Sequence, residues 1–138
     1  MNGVVDYIDA VHEAHFNDGA LPAERAQRVH DIVRAHETKL LAPLLEFATT
    51  DNRVRVVGPT SLENRVPTLA LVTERNPHDV AEQLSEHKVM AGAGDFYAVR
   101  VLEAMGIELD PGVLRLSFVH YTSQSEIDQL LEALDATL

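Results

Sequence analysis

The sequence predicts a small α/β (α+β) fold, in which a mostly antiparallel sheet of three to four strands is covered by helices and preceded by a long bent helix. The first observation behind this prediction is that strand-like and helix-like segments are mixed without strict alternation, which favours an antiparallel sheet beneath helices. The second is an apolar stripe at helical spacing that continues through residues 22–49. With 138 residues, the chain is long enough for one domain with a real core.

The N-terminal part of the chain predicts two helices. Residues 3–16 have amphipathic spacing, and residues 17–19 (Asn-Asp-Gly) are typical of a helix end. The next helix is predicted to begin at Pro22, with Glu24 in its first turn, because proline fits the first helical position and an acidic side chain favours the helix N-terminus. At about 1.5 Å per residue this helix would extend roughly 40 Å. We expect Pro43 to bend it, since proline removes one backbone hydrogen bond.

The rest of the chain predicts strands, shorter helices and their caps. The predicted strands are residues 53–57, 68–73, 89–91 and 113–119, the predicted helices are residues 76–87, 96–105 and 123–136, and residues 92–94 are a predicted loop. Asn76 is expected to cap the first of these helices and Asp95 the second. Ser123 and Glu126 have the spacing of a capping box at the start of the last helix.

The composition excludes several classes of partner and chemistry. With 22 acidic against 11 basic residues, the formal charge of −11 repels nucleic acid and anionic membranes, so neither is an expected partner. The chain has no cysteine, which excludes a disulfide, a thiolate metal site and a cysteine nucleophile. It also lacks an apolar run of about 18 residues and a charged-then-apolar leader, so we expect a cytoplasmic protein.

One arginine interrupts the predicted strand near the C-terminus. Strand alternation places Arg115 on the same face as Val113 and Val119. A guanidinium buried among apolar neighbours is costly unless an anion meets it, so Arg115 is a candidate anion-binding residue. The alternative is an internal salt bridge with one of the chain's acidic residues. His120 and Tyr121, which follow the strand, are candidates for bordering the same pocket.

The order and spacing of several segments resemble the C-terminal domain of class V aminotransferases and cysteine desulfurases, the fold-type-I pyridoxal-phosphate enzymes. The segments that carry the resemblance are residues 65–69 (Arg-Val-Pro-Thr-Leu), 76–84, 94–98 (Gly-Asp-Phe-Tyr-Ala) and 112–131. The resemblance covers about residues 20–138. It implies that residues 1–20 are a helix left from the junction with a large domain, residues 21–50 the connecting helix, and residues 51–138 the small C-terminal domain.

The resemblance also implies a site and a chemistry. In such enzymes the arginine at the position of Arg115 holds the α-carboxylate of the substrate, and the loop with Gly94, Asp95, Phe96 and Tyr97 lies beside it. The implied reaction is transamination or a related carbon–nitrogen or β-elimination step, with pyridoxal phosphate bound by the large domain of the parent enzyme. We expect no cofactor on this chain alone, no activity without the large domain, and a homo-oligomer. Because the chain has no cysteine, persulfide chemistry on it is excluded.

Three other features suggest sites, and each has a simpler explanation. Lys88 ends a Ser-Glu-His-Lys segment that resembles the cofactor-lysine segment of desulfurases, but it lies only 27 positions before Arg115, so we interpret it as a surface lysine at a helix C-terminus. His12 and His15 have helical i, i+3 spacing, yet no third ligand is nearby in sequence, so we predict no metal site. His36 lies on the apolar stripe and is predicted to be a core histidine.

Two functions from different classes therefore remain open. The first is the small domain of a pyridoxal-phosphate enzyme that binds an amino-acid carboxylate. The second is a stand-alone module, for dimerisation or for binding a small carboxylate, that uses the same fold. Loss of carboxylate binding on substitution of Arg115, without cofactor, would favour the second kind of protein over an enzyme part.

Overall fold

The computed structural model of the protein describes residues 2–16, 18–63 and 65–138. Within these ranges the chain forms five helices and four strands. In chain order they are α1 (Asn2–His15), α2 (Pro22–Thr50), β1 (Val54–Val57), β2 (Thr68–Thr73), α3 (Pro77–Glu86), β3 (Gly92–Gly94), α4 (Val99–Ala104), β4 (Val113–Ser117) and α5 (Gln124–Thr137). The predicted fold class is confirmed.

The four strands form one antiparallel sheet in the order β1-β2-β4-β3. The register places Val57 opposite Ala70, Ala70 opposite Arg115, and Arg115 opposite Gly92. Because directly opposed residues point to the same side of a sheet, these four positions form one row on one face. Arg115 therefore has an alanine on one side and a glycine on the other.

The main core lies on the opposite face, which we call the inner face. Leu69, Leu71 and Leu114 of the inner face are fully buried. The helices that cover them contribute the following buried residues: Leu41, Leu44, Leu45 and Ala48 of α2, Val80 and Leu84 of α3, and Leu130, Ala133 and Leu134 of α5. Each fully buried leucine side chain contributes about 1.5–3 kcal/mol of hydrophobic free energy. The inner face is therefore where most of the stability is generated.

The second face of the sheet, the outer face, is only partly covered. A small cluster of Leu102, Ile107 and Val113 lies there, with Phe96 packed against it. Beyond this cluster Arg115 and Ser117 are exposed on the same face. Thus α4 protects one end of the outer face and leaves the other end open to solvent.

Two of the three predicted side-chain caps are confirmed, those of Asn76 and Ser123. The side chain of Asn76 accepts a hydrogen bond from the backbone N–H of His78 at 2.9 Å at the start of α3. At the start of α5, the backbone N–H of Ser123 donates to the Glu126 carboxylate at 2.7 Å, and the Ser123 hydroxyl accepts from the Glu126 N–H at 3.3 Å. The hydrogen bonds that Ser123 donates lower the pKa of Glu126. These caps were recognisable because all their partners are within three residues of each other.

The region between β3 and α4 differs from the prediction. The predicted strand at residues 89–91 and loop at residues 92–94 are wrong, because the strand is Gly92–Gly94. The predicted helix start at Phe96 is also wrong, since α4 begins at Val99. Phe96 and Tyr97 have φ values of 49° and 60°, which belong to the left-handed region and cannot continue a right-handed helix.

The start of α4 and the continuity of α2 bear on two further helix predictions. Asp95 is not the N-cap of α4, because Ala98 occupies that position and Asp95 instead accepts a hydrogen bond from the backbone N–H of Tyr97 at 3.0 Å. Helix α2 continues through Pro43 to Thr50, and the bend expected there stays a prediction. Among the described residues, no helix has the length and apolar composition needed to cross a membrane.

Candidate functional site

Arg115 lies in the middle of β4 with its side chain on the outer face. The expectation that its guanidinium is buried among apolar residues is wrong, because the side chain is exposed. Its neighbours in the cross-strand row, Ala70 and Gly92, are too small to enclose it. The desolvation cost of a buried guanidinium therefore does not apply, and the question becomes what the exposed group can bind.

The guanidinium of Arg115 has no acidic partner in the part of the chain that the structure describes. Some of the other arginines do: Arg53 lies 2.5 Å from Asp51 and 2.9 Å from Asp135, and Arg25 lies 3.3 Å from Asp9. The hydrogen bonds from Arg53 lower the pKa of Asp51. The alternative that Arg115 forms an internal salt bridge is thus not found among these residues. Its five N–H donors are available to an anion, in a geometry that suits a carboxylate.

Phe96 contacts Arg115 directly. The guanidinium carbon Cζ of Arg115 lies 4.0 Å from the centroid of the Phe96 ring, a cation–π distance. The ring also lies in the space that a side chain at position 92 would need, since a Cβ added to Gly92 would be 3.0 Å from Phe96 Cζ. The structure therefore brings two of the predicted site residues, Phe96 and Arg115, into contact.

The other predicted loop residues have different surroundings. Gly94 pairs with Val113 in the sheet and has a φ of 129°, which favours glycine. Asp95 uses its carboxylate to hold the loop through the Tyr97 N–H, and the Tyr97 side chain is fully exposed. Gly94 and Asp95 shape the loop beside Arg115, whereas Tyr97 extends into solvent.

Lys88 lies where a surface lysine was expected. It follows the C-cap residue of α3, its N–H donates to the Ser85 carbonyl at 2.9 Å, and it is exposed with a φ of 62°. It borders a cavity of about 230 Å³ whose described lining contains one other charged group, the carboxylate of Glu126. The carboxylate of Glu126 disfavours a phosphate in this cavity, although Ser117, Thr122 and Gln129 also line it.

The buried histidine of this chain is His12. It is fully buried, stacks on Phe16 with 5.1 Å between ring centroids, and has its Nε2 3.4 Å from Asp18 Oδ1. The salt bridge from Arg28 lowers the pKa of Asp18. Across residues 2–16, 18–63 and 65–138, no group of three histidine, cysteine or acidic side chains is arranged to hold a metal ion.

A group of tyrosine and histidine side chains lies where α1 and α2 meet the end of β4, and no sequence pattern predicted that they would be neighbours. The prediction that His36 belongs to the core is wrong, because it is exposed and its Nε2 lies 3.0 Å from the Thr122 carbonyl. His120 pairs with Tyr7 at 2.6 Å, and both line a cavity of about 390 Å³ that does not include Arg115. Tyr121 also lines this cavity. Tyr7 and His120 are 113 positions apart, so no local pattern indicated their contact.

Comparison with known proteins identifies the family. The family model described as Aminotransferase class-V matches residues 25–130. The chain is 31% identical over 119 residues to an aminotransferase-like protein, FGM3, from Gibberella zeae, covering 83% of this chain and 30% of that protein. It is 30% identical over 106 residues to a probable cysteine desulfurase from Streptomyces coelicolor, covering 76% of this chain and 25% of that protein. The chain thus spans less than a third of the length of these relatives.

Solved structures show the same fold. The cysteine desulfurase of Thermococcus onnurineus, in its apo structure, matches with a TM-score of 0.66 at 24% identity, over 84% of this chain and 30% of that chain. The cysteine desulfurase CsdA of Escherichia coli matches with a TM-score of 0.63 at 25% identity, over 79% of this chain and 26% of that chain. The chain belongs to the aminotransferase class V family of aminotransferase-like and cysteine-desulfurase-like proteins, which in general depend on pyridoxal phosphate.

Proposed function

We propose that this chain is the C-terminal small domain of a pyridoxal-phosphate-dependent class V aminotransferase or desulfurase-like enzyme, in which Arg115 binds the carboxylate of the amino-acid substrate. The observation that carries the proposal is the exposed guanidinium of Arg115, which has no acidic partner among the described residues. A guanidinium recognises a carboxylate through two parallel N–H···O hydrogen bonds. Such a group is ready to bind without first breaking an internal ion pair.

The charge of the whole chain limits how a carboxylate can reach Arg115. The chain has 22 acidic residues against 11 basic ones. A net charge of −11 disfavours the approach of anions at long range. A carboxylate must therefore be held by short-range, charge-assisted hydrogen bonds, and Arg115 supplies the donors for them.

The roles of the chain's residues are limited to binding and orientation. Arg115 holds the substrate carboxylate, and the segment from Gly94 to Tyr97 borders the bound molecule on the β3 side. Pyridoxal phosphate, bound by the large domain, supplies the electron sink for transamination or a related carbon–nitrogen or β-elimination step. Lys88 shares its cavity with the carboxylate of Glu126, which disfavours a phosphate there, so in this proposal the large domain supplies the cofactor lysine. In this proposal the chain alone has no activity, and the complete enzyme is a homo-oligomer.

A second candidate is a stand-alone module that binds a small carboxylate or forms a dimer. The same exposed Arg115 favours the carboxylate-binding form, because it needs no second domain to remain available. Exposed apolar residues favour the dimer, among them Val66 and Met90, which are 68% and 94% exposed. Sedimentation at several concentrations distinguishes the carboxylate-binding form from the dimerisation form, because only a dimerisation module gives a concentration-dependent mass.

The test of the carboxylate site is an NMR titration of the full chain with L-alanine. The variants are Arg115→Ala, Arg115→Lys and, as a matched control, Arg55→Ala, which removes another exposed arginine of the sheet, on β1, a strand that β2 separates from β4. We expect affinity to fall by roughly 10- to 100-fold in Arg115→Ala, since hydrogen bonds to charged groups are among the strong ones. Arg115→Lys should retain part of the affinity, and Arg55→Ala all of it. Equal affinity in wild type and Arg115→Ala would refute the assignment.

The division between domains has its own test. The chain is mixed with pyridoxal phosphate, scanned for visible absorbance, reduced with borohydride and measured by intact mass. We expect no stoichiometric lysine adduct. A stoichiometric adduct mapped to Lys88 would contradict the proposal and make the Ser-Glu-His-Lys segment a cofactor site.

A further inference from the structure

We propose that Phe96, held in the space left by Gly92, positions the guanidinium of Arg115 so that its N–H edge meets a carboxylate. Arg115 is the binding residue and Phe96 is a positioning residue that acts through it. The inference rests on the proposed carboxylate site and adds the residue that orients its arginine.

The first step is that the sheet itself does not hold the Arg115 side chain. Its two neighbours across the strands are Ala70 and Gly92, and a long side chain between such small residues is free to turn. Among the described residues the guanidinium makes neither an ion pair nor a hydrogen bond. The Phe96 ring, 4.0 Å from its Cζ, is the contact that fixes it.

The second step is that the Phe96 ring is itself fixed from several sides. It packs against the outer-face cluster of Leu102, Ile107 and Val113. Its backbone has a left-handed φ of 49°, and the Asp95 carboxylate holds the next turn through the Tyr97 N–H. Left-handed conformations of non-glycine residues persist only where the surroundings impose them. The ring is therefore a rigid support on which the guanidinium of Arg115 rests.

The third step is that residue 92 must lack a side chain for the Phe96 ring to lie where it does. A Cβ on Gly92 would meet only two atoms within 4 Å, Cζ and Cε1 of Phe96, at 3.0 and 3.1 Å. Gly92 lies directly opposite Arg115 in the register. Because Gly92 has no side chain, the Phe96 ring can occupy the space above it and contact Arg115 on the next strand.

The chemical consequence concerns which part of the guanidinium remains available. A cation–π contact uses the flat face of the group, whereas all five N–H donors lie in its plane. A guanidinium resting on a ring therefore keeps its edge free for two in-plane hydrogen bonds to a carboxylate. Because the side chain is already ordered, less conformational entropy is lost when the carboxylate binds.

The test uses the full chain labelled with ¹⁵N and observes the arginine Nε–Hε signals, with Arg115 assigned by Arg115→Lys. Phe96→Leu keeps the apolar contact but removes the ring, and Phe118→Leu removes a ring that packs on the main core. We expect the Arg115 signal of wild type to carry a ring-current shift that Phe96→Leu loses and Phe118→Leu retains. Acetate affinity, read from the same signal, should fall about two- to fivefold in Phe96→Leu alone, as expected for an exposed cation–π contact.

Gly92→Ala provides a second variant that leaves Phe96 intact. Its new methyl group should displace the ring, reduce the ring-current shift and weaken acetate binding, while the matched Gly19→Ala, which meets nothing within 4 Å, should do neither. Unchanged acetate affinity in both Phe96→Leu and Gly92→Ala would overturn the positioning role. If the wild-type ring-current shift is present but acetate does not move the Arg115 signal, the carboxylate site itself fails, and the positioning role fails with it.

Discussion

The two faces of the sheet differ in what covers them. The inner face is enclosed by α2, α3 and α5, with Leu69, Leu71 and Leu114 fully buried. The outer face carries a small cluster around Leu102 at one end and the exposed Arg115 at the other. Because stability and binding depend on opposite faces, substitutions that damage one should leave the other nearly unchanged.

The largest effect is expected from Leu71→Ala on the inner face. Removal of this fully buried side chain leaves a cavity under three helices and should lower the free energy of unfolding by about 2–5 kcal/mol. Leu102→Ala on the outer face should cost less, because its cluster is smaller and its surroundings can collapse. Urea unfolding of both variants measures the difference. An equal or larger loss in Leu102→Ala would contradict the division between the faces.

The next effect tests whether close backbone contact between Gly112 and Gly94 holds strand β3 in place beside Arg115. Gly112 has a φ of 77°, and a Cβ there would clash with the backbone of Gly94. Gly112→Ala should therefore lower stability by roughly 1–3 kcal/mol and also weaken carboxylate binding, since β3 must move. Gly58→Ala is the control, because its φ is 100° but its Cβ meets nothing within 4 Å. If Gly58→Ala weakens binding equally, the effect is not due to contact with β3.

A smaller effect is expected at the start of α5, a helix of the inner face. Ser123→Ala removes the hydroxyl of the capping box and should lower stability by about 0.5–2 kcal/mol. Acetate binding at Arg115 should stay unchanged, because the cap lies on the other side of the sheet. Glu132→Ala, which removes an exposed side chain later in the same helix, is a suitable control in thermal unfolding. A loss of binding in Ser123→Ala would show that the faces are coupled.

The smallest effect is a pH dependence. The hydrogen bonds from Arg53 lower the pKa of Asp51 from 3.8, so the folded state binds the proton more weakly than the unfolded state. The pair's contribution to stability is therefore present above about pH 4 and is lost as pH falls through the lowered pKa. Asp51→Asn should make the acid limb of the stability curve shallower and leave carboxylate binding at neutral pH unchanged. A steeper acid limb in this variant would contradict the stated direction.

The elements that the sequence predicted well are those with local signals. The bounds of β2 and the capped start of α5 follow from alternation and from partners three residues apart. Strand β3 was missed because Gly92 and Gly94 have low strand propensity, and its pairing with β4 is a long-range contact. The left-handed pair at Phe96 and Tyr97 had no signal, since such conformations are usually glycine positions.

The members of the candidate site come from the resemblance and stay a prediction, whereas the surroundings of each residue are visible only in the structure. The resemblance supplied Arg115 and the loop, and the structure places Phe96 against Arg115. The exposure of Arg115 depends on which residues face it across two strands, and that register is not visible in a single sequence. No local pattern predicts the contact of Tyr7 with His120, because the two residues are 113 positions apart in the chain.

Helix α2 is continuous over 29 residues, yet it is anchored mainly at one end. From Leu41 to Ala48 it is held in the main core, whereas Val29 and Leu40 are the buried residues before that segment. One unbroken helix therefore contains two regions of different local stability. In hydrogen exchange, the amides before Leu40 should open with α1 at a free energy below that of global unfolding, and those after it should exchange only when the sheet unfolds. The cooperative unit in this protein is thus set by packing and ends in the middle of a helix.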